Sequence, residues 1–268
     1  MGKPKIFVIY YSTYGHVQTL AQAVMNGLLK GGQVDVEMYQ ITETLPADVL
    51  EKMHAADKQN IPEITADKLP EADGFVFGFP TRFGTAPAQV KTFFDSTGKL
   101  WSEGALAGKP VGLFFSTASQ HGGQEATAFT FMPHFAHHGM IYVPLGYASD
   151  KMSDNATPMG GSPWGSGTIA GVTGELQPSV NELDIAEIQG ERFASVAAKL
   201  AVSKPAAPKP GDGQTHAAPG PAPASADAPS SDAAAAAAAQ PQPDASAKQR
   251  GGRMGKLVAK FKHLFSSS

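Results

Sequence analysis

The 268-residue sequence contains no cysteine. Disulfide bonds, thiolate nucleophiles, iron–sulfur clusters and thiolate zinc sites are therefore excluded, as are prenylation and S-palmitoylation. The chain consequently needs no oxidising compartment to fold.

The sequence also lacks a long apolar segment. No window reaches the run of about 18 uninterrupted apolar residues that a membrane-spanning helix requires. Residues 1–5 lead directly into an apolar run without the features of a signal peptide, and Ile6 stands where N-myristoylation requires Ser or Thr. We therefore expect a cytoplasmic protein.

Charge is distributed unevenly along the chain. The whole sequence has 21 basic and 24 acidic side chains, a net charge of −3, which does not favour nucleic acid as a partner. Residues 203–268 hold eight Lys or Arg and four Asp, so this tail carries +4 and residues 1–202 carry −7. An acidic body thus precedes a basic tail.

The composition of the tail predicts two parts. Residues 203–247 contain nine Pro and seventeen Ala but no Val, Ile, Leu, Met or aromatic residue, which is typical of a disordered linker. Residues 248–268 carry six basic residues and no acidic one, and their apolar residues recur at helical spacing. The apolar residues are Met254, Leu257, Val258, Phe261, Leu264 and Phe265.

This pattern predicts a basic amphipathic helix that lies on an anionic membrane surface, which would place the protein peripherally at a membrane. A calmodulin-type target helix and an arm for another acidic partner are the alternatives. The expected domains are therefore a folded body over 1–202, a linker over 203–247 and the basic helix over 248–268.

Within the body, buried-strand patterns alternate with helical periodicity, which is typical of the α/β class. Apolar runs predict strands, and spacings of three and four predict helices between them. The predicted strands are 5–11, 33–41, 74–79, 110–116 and 140–145; the predicted helices are 15–30, 87–95, 124–138 and 182–200. Such a chain forms a doubly wound, five-stranded parallel sheet with helices on both faces, whose ligands bind at the carboxyl ends of the strands.

The loop after the first strand, residues 12–17, is rich in hydroxyl groups and ends at a helix N-terminus. Free N–H groups and the helix dipole favour an anion there. The loop contains no Lys or Arg and matches neither the triphosphate loop nor the Rossmann glycine motif, so a single terminal phosphate fits best, and we expect it to be held without a salt bridge. The alternative is a turn that only caps its helix.

Two further loops follow strands of the same sheet. Residues 78–87 contain two Pro and two Gly, a rigid turn suited to offering backbone amides to a flat heteroaromatic ring, and residues 116–125 mix hydroxyl groups with glycines. Either loop alone is also explained as a surface connection. Three such loops at one edge of the sheet favour a ligand site.

Several segments resemble those of one enzyme family. YYSTYGHV, FGFPTRFGT, DSTGKLW, GGQE, AHHGM, PLGYAS, GGSPWGSGTIAG and QPSVNELDIAEIQGERFA together resemble the WrbA family of flavodoxin-like NAD(P)H:quinone oxidoreductases, in particular eukaryotic, fungal-type members with a C-terminal extension. The resemblance spans about residues 3–200. It implies a flavodoxin-like fold, FMN as cofactor, NADH or NADPH as co-substrate, a quinone as acceptor, and a homotetramer or homodimer.

The resemblance also implies roles for particular residues. Residues 12–17 correspond to the phosphate loop of FMN, 80–85 to the loop at its ring and 116–121 to the loop on the other edge. Tyr14 corresponds to a nicotinamide contact, Trp101 to a wall of the substrate cavity and His137 to a flavin contact. Arg82 either pairs with a carboxylate of the protein or faces the flavin and stabilises charge on the reduced ring. The implied catalytic residues are His137, Trp101 and Arg82, and the implied cofactor-binding residues are Ser12, Thr13, Tyr14, Gly15, His16, Val17, Pro80, Thr81, Arg82, Phe83, Gly84, Thr85, Ser116, Thr117, Ala118, Ser119, Gln120, His121 and His137.

Other interpretations remain at this point. His134, His137 and His138 have a spacing that suits a metal, but no Cys, Asp or Glu partner completes a site, so we expect no metal. Trp101 could equally be a core or subunit-contact residue. The alternative functions are a one-electron carrier of the flavodoxin type, against which the added segments 97–101 and 146–178 argue, and a membrane-associated scaffold with the same fold.

Overall fold

The computed structural model describes residues 2–202, which form a parallel sheet with helices on both faces. The strands are β1 (Lys5–Tyr10), β2 (Asp35–Gln40), β3 (Gly74–Pro80), β4 (Pro110–Thr117), β5 (Ile141–Tyr142) and β6 (Gly165–Ile169). The helices are α1 (His16–Lys30), α2 (Ala47–Lys52), α3 (Ala88–Asp95), α4 (Gly98–Ser102), α5 (Gln124–His137) and α6 (Val180–Val202), with short 3-10 helices at Ala66–Glu71 and Asp150–Ser153.

The sheet has the order β2-β1-β3-β4-β5, and every strand pair is parallel. The chain direction across the sheet reverses between β1 and β3, which is where ligands bind in doubly wound folds. The predicted fold class is confirmed, as are four of the strands and the helices α1, α3, α5 and α6. Helices α2 and α4 were not predicted, because five or six residues are too few to show a periodicity.

The sequence predicts one strand over 140–145. In the structure two separate segments, β5 and β6, pair with the same side of β4. Strand β5 has only two residues and pairs with the start of β4, whereas β6 pairs with β4 from Leu113 to Thr117. Strand β6 reads GSGTI, and a Cβ at Gly165 would stand 2.0 Å from the carbonyl oxygen of Leu113. The backbones of β4 and β6 approach so closely that this position requires glycine. Because glycine has no apolar side chain, the segment lacks the signal by which a strand is predicted from sequence.

Apolar side chains pack on both faces of the sheet. Phe7 and Ile9 belong to the layer under α3 and α5, while their neighbours Ile6 and Val8 belong to the layer under α1 and α6. This alternation follows from the two-residue period of a strand and explains why β1 reads as a continuous apolar run.

Helix α6 begins with a capping box. The Ser179 Oγ accepts from the Glu182 N–H at 3.3 Å, and the Glu182 carboxylate accepts from the Ser179 N–H at 2.7 Å. Within residues 2–202, no helix is both long enough and apolar enough to cross a membrane. The linker and basic helix predicted over 203–268 lie outside the described residues.

Candidate active site

The carboxyl ends of β1, β3 and β4 open into a cleft of about 440 Å³. The three loops noted in the sequence meet there, because parallel strands that start at one edge of a sheet end at the other. The cleft is lined by Ser12, Thr13, Tyr14, His16, Val17, Met53, His54, Pro80, Thr81, Arg82, Ser116, Thr117, Ala118, Ala170, Gly171, Val172, Thr173 and Gly174.

The first loop presents the N-terminus of α1 to this cleft. Gly15 caps the helix with φ +91°, and no side chain caps the first turn. The Ser12 Oγ accepts from the Gly15 N–H at 3.0 Å and tightens the loop. His16 is buried, and its Nε2 has no hydrogen-bond partner in the protein. Uncapped N–H groups and an unpaired buried imidazole nitrogen form a site that can hold an anion.

The second loop places the Arg82 guanidinium against the first loop. The Arg82 Nη1 donates to the Thr81 carbonyl oxygen at 2.9 Å, and Nη2 donates to the Thr13 Oγ1 at 3.1 Å. No carboxylate of the described residues forms an ion pair with Arg82. The guanidinium therefore carries an unbalanced charge at the boundary of two loops, a juxtaposition that spacing along the chain does not reveal.

The rest of the second loop forms a tight turn outside the cleft. The backbone groups of Arg82 and Thr85 pair with each other, and the Thr81 Oγ1 accepts from the Gly84 N–H at 3.1 Å. Phe83 has φ +53° and a fully exposed ring. Thus Phe83, Gly84 and Thr85, predicted as cofactor ligands, do not line the cleft of this chain.

The third loop contributes only its first residues. Ser116, Thr117 and Ala118 line the cleft, whereas Ser119, Gln120 and His121 do not. The Thr117 Oγ1 donates to the Ser119 carbonyl oxygen at 2.7 Å and turns the chain outward. Gln124, buried at the start of α5, donates to the Thr117 Oγ1 at 2.6 Å.

A fourth wall of the cleft, residues 170–174, was not assigned to the site from the sequence. Gly171 and Gly174 have φ +81° and +79°, so the segment turns sharply at both ends. The only signal in the sequence is the added segment 146–178. Met53 and His54 were likewise not predicted.

Glu182 holds this wall to the sheet. Its buried carboxylate accepts from the Gly160 N–H at 2.8 Å, the Ile169 N–H at 3.0 Å and the Thr168 hydroxyl at 3.0 Å, in addition to Ser179. One carboxylate thus ties together the segment before β6, the end of β6 and the start of α6. The wall at 170–174 follows β6 directly.

Trp101 and His137 line a different cavity of about 320 Å³, together with Phe94, Asp95, Thr97, Gly98, Pro133, His134 and His138. Helix α5 starts beyond the carboxyl end of β4 and runs back, so that His137 lies just before β5, which pairs with the first residues of β4. The two residues therefore lie away from the cleft of their own chain, at the opposite edge of the sheet.

Imidazoles dominate this second cavity. The His138 Nε2 lies 2.8 Å from the Thr97 Oγ1, and burial lowers the pKa values of His134 and His138. Both rings therefore favour the neutral form. Residues 2–202 contain no group of three His, Asp or Glu arranged to hold a metal ion.

Comparison with known proteins agrees with this architecture. Residues 4–154 match the family model described as NADPH-dependent FMN reductase. A protein of Triphysaria versicolor named quinone-oxidoreductase is 52% identical over 197 residues, which are 73% of this chain and 96% of that protein. A protein of Candida albicans named NAD(P)H quinone oxidoreductase is 53% identical over 199 residues, 73% of this chain and 69% of that one.

A solved structure shows the same fold. The structure of a flavodoxin, WrbA-like protein from Agrobacterium tumefaciens superposes with a TM-score of 0.51 at 24% identity and covers 74% of this chain and 99% of that one. The family resemblance drawn from the motifs is confirmed. With its parallel sheet, its three converging loops and its match over residues 4–154, the chain belongs to the NADPH-dependent FMN reductase family.

Proposed function

We propose that the chain is an FMN-dependent NAD(P)H:quinone oxidoreductase. The convergence of three loops on the uncapped N-terminus of α1 carries this proposal, and the names of the two relatives support the substrate class. A cleft of about 440 Å³ lies in the range of cofactor sites.

The residues present fit the flavin nucleotide. The first turn of α1 and the unpaired His16 Nε2 would supply hydrogen bonds for its phosphate. Pro80 and Thr81 lie beside Ser116, with the Thr81 N–H donating to the Ser116 carbonyl oxygen at 2.8 Å, and together with Thr117 and Ala118 they line the cleft where a flat ring would bind. When bound, FMN would accept a hydride from NAD(P)H and pass two electrons to a quinone.

The residues of the chain would bind the cofactor and its two substrates and orient them. A single cleft implies that NAD(P)H and quinone enter in turn, which predicts ping-pong kinetics. The quinone protons would come from water or from His137. Arg82 would stabilise negative charge that develops on the reduced cofactor.

We infer that a second copy completes the site. The family resemblance assigns Trp101 and His137 to the substrate cavity, yet within one chain they lie apart from the cleft. The implied role of these residues agrees with their position in the chain if they face the cofactor of a neighbouring copy in a homodimer or homotetramer. The exposed rings of Phe83 and Trp101 support such a contact.

The absorption spectrum of the purified full chain tests the central claim. We expect flavin bands in the visible blue, oxidation of NADH or NADPH on addition of a soluble quinone, and a light-scattering mass of at least two chains. A one-electron carrier would show the flavin without quinone turnover, and a scaffold would show no flavin. Either result would contradict the proposed function.

The tail is proposed as a reversible anchor to anionic membranes, on the basis of the six basic residues in 248–268. We expect a chain that ends at Val202 to keep its quinone reductase activity within about twofold, because residues 203–247 offer only Ala and Pro to pack. The same truncation should lose sedimentation with phosphatidylserine vesicles.

The double variant Phe261→Glu with Phe265→Glu serves as the matched control, because it keeps the full length and every basic residue. It should also lose sedimentation, and binding of the wild type should fall with added salt. Sedimentation that ignores lipid charge, or inactivity of the truncated chain, would refute the proposal.

A further inference from the structure

Four hydrogen-bonded side chains form a relay that leads from Arg82 in the cleft to the carboxylate of Glu43 outside it. The Arg82 Nη2 donates to the Thr13 Oγ1 at 3.1 Å, the Thr13 hydroxyl donates to the Tyr11 hydroxyl at 3.4 Å, and Tyr11 donates to the Glu43 Oε2 at 2.9 Å. Thr13 and Tyr11 are buried, and Glu43 and Arg82 are half-buried. The four residues belong to three different loops.

The two ends of this relay, Arg82 and Glu43, fix which group donates and which accepts in each hydrogen bond. A guanidinium has only donors and a carboxylate has only acceptors, so each hydroxyl between them accepts from the arginine side and donates towards Glu43. The proton of Thr13 is therefore turned away from the cleft. Thr13 faces Arg82 as an acceptor and anchors the guanidinium.

Glu43 is held as a carboxylate. Burial opposes its ionisation, but hydrogen bonds from the Leu45 N–H, the Gln89 amide, Tyr11 and the Thr44 N–H outweigh burial and lower its pKa. Gln89, which is buried on α3, donates to the Oε1 at 2.8 Å, and the two backbone N–H groups donate at 2.9 and 3.0 Å. Burial raises the pKa of Tyr11 to about 12, so the phenol stays a donor.

We propose that Tyr11 and Glu43 are positioning residues, which act through Thr13 to hold the Arg82 guanidinium where it meets an anionic group of the flavin nucleotide. These hydrogen bonds use one N–H of Nη1 and one of Nη2, which leaves the other N–H groups of the guanidinium for the ligand. This inference rests on the proposed function. It gives a role to two residues of the relay that do not reach the cofactor themselves.

A double-mutant cycle between Tyr11→Phe and Arg82→Met tests the relay. Phenylalanine keeps the buried ring and removes only the hydroxyl. In the presence of Arg82, we expect Tyr11→Phe to weaken FMN binding to the apoprotein about tenfold, the size of one charge-assisted hydrogen bond. In the Arg82→Met background the same change should have less than about a twofold effect, because no guanidinium is left to position.

Binding of riboflavin, which lacks the phosphate, shows whether the Arg82 guanidinium meets the phosphate or the reduced ring. An effect of Tyr11→Phe on FMN alone assigns the guanidinium to the phosphate. An equal effect on riboflavin, with a lowered midpoint potential of the bound flavin, assigns it to the reduced ring. Both results support the relay.

Tyr39→Phe is the matched control, because the Tyr39 hydroxyl also donates to a glutamate, Glu37, but on β2 outside the cleft. It should leave the affinity for FMN unchanged. Equal effects of Tyr11→Phe with and without Arg82, or no effect at all, would overturn the positioning role while leaving the proposed function intact. A wild-type chain that binds no FMN would overturn both.

Discussion

Replacing Ser12 by leucine together with Gly15 by valine is expected to abolish flavin binding while the sheet stays folded. Gly15 has φ +91°, a conformation that costs a β-branched residue on the order of 1–3 kcal/mol. Relief of this strain would turn the peptide groups that begin α1. Leucine at position 12 would also remove the oxygen that accepts from the Gly15 N–H and would place an apolar side chain in the cleft.

We expect the affinity of the double variant for FMN to fall by at least about 100-fold, since several donors to one phosphate are lost together. Fluorescence titration of FMN with the apoprotein measures this change, and circular dichroism checks the fold. Gly32→Val is the matched control, because Gly32 has φ +59° with open space around its Cβ position but lies at the far end of α1. If the double variant still copurifies with stoichiometric flavin, the phosphate site has been assigned to the wrong loop.

The second large effect is expected from Glu182→Ala. The substitution leaves the N–H groups of Gly160 and Ile169 and the Thr168 hydroxyl without their acceptor inside the protein. Because each unpaired buried donor costs about 1–3 kcal/mol, we expect the free energy of unfolding to fall by roughly 3 kcal/mol or more. The wall at 170–174 should also loosen, which would lower the affinity for FMN.

Urea unfolding followed by circular dichroism measures the first effect and fluorescence titration the second. Glu191→Ala is the control on the same helix, since Glu191 forms an exposed ion pair with Lys30 and its loss should change the unfolding midpoint little. A Glu182→Ala protein as stable as the Glu191→Ala protein would show that water replaces the carboxylate and that Glu182 does not hold the wall.

The agreement between sequence and structure is closest where the signal is local. Strands β1, β3 and β4 are buried on both faces, and a continuous apolar run records this directly. Helix α1 shows its buried stripe, and α6 shows its capping box through Ser179 and Glu182. Each of these features depends on residues within a few positions of one another.

The three loops at the cleft were also predictable, because parallel connectivity brings the ends of β1, β3 and β4 to one edge. Their exact extent was not. Phe83 and Ser119 continue sequence segments that carry cofactor motifs, but a turn at each point directs the chain away from the cleft. Spacing along the sequence does not show where a loop turns outward.

The sequence by itself determined the fold class, the edge at which the cleft lies and the hydroxyl-rich, helix-terminal character of its first loop, since these follow from local periodicity and from strand direction. Only the tertiary structure decided that Arg82 reaches Thr13, that β6 and residues 170–174 close the cleft, and that Trp101 and His137 lie at the other edge of the sheet. The physical reason is that these relations join residues far apart in sequence, through close backbone packing and side-chain hydrogen bonds that leave no periodic pattern in the chain.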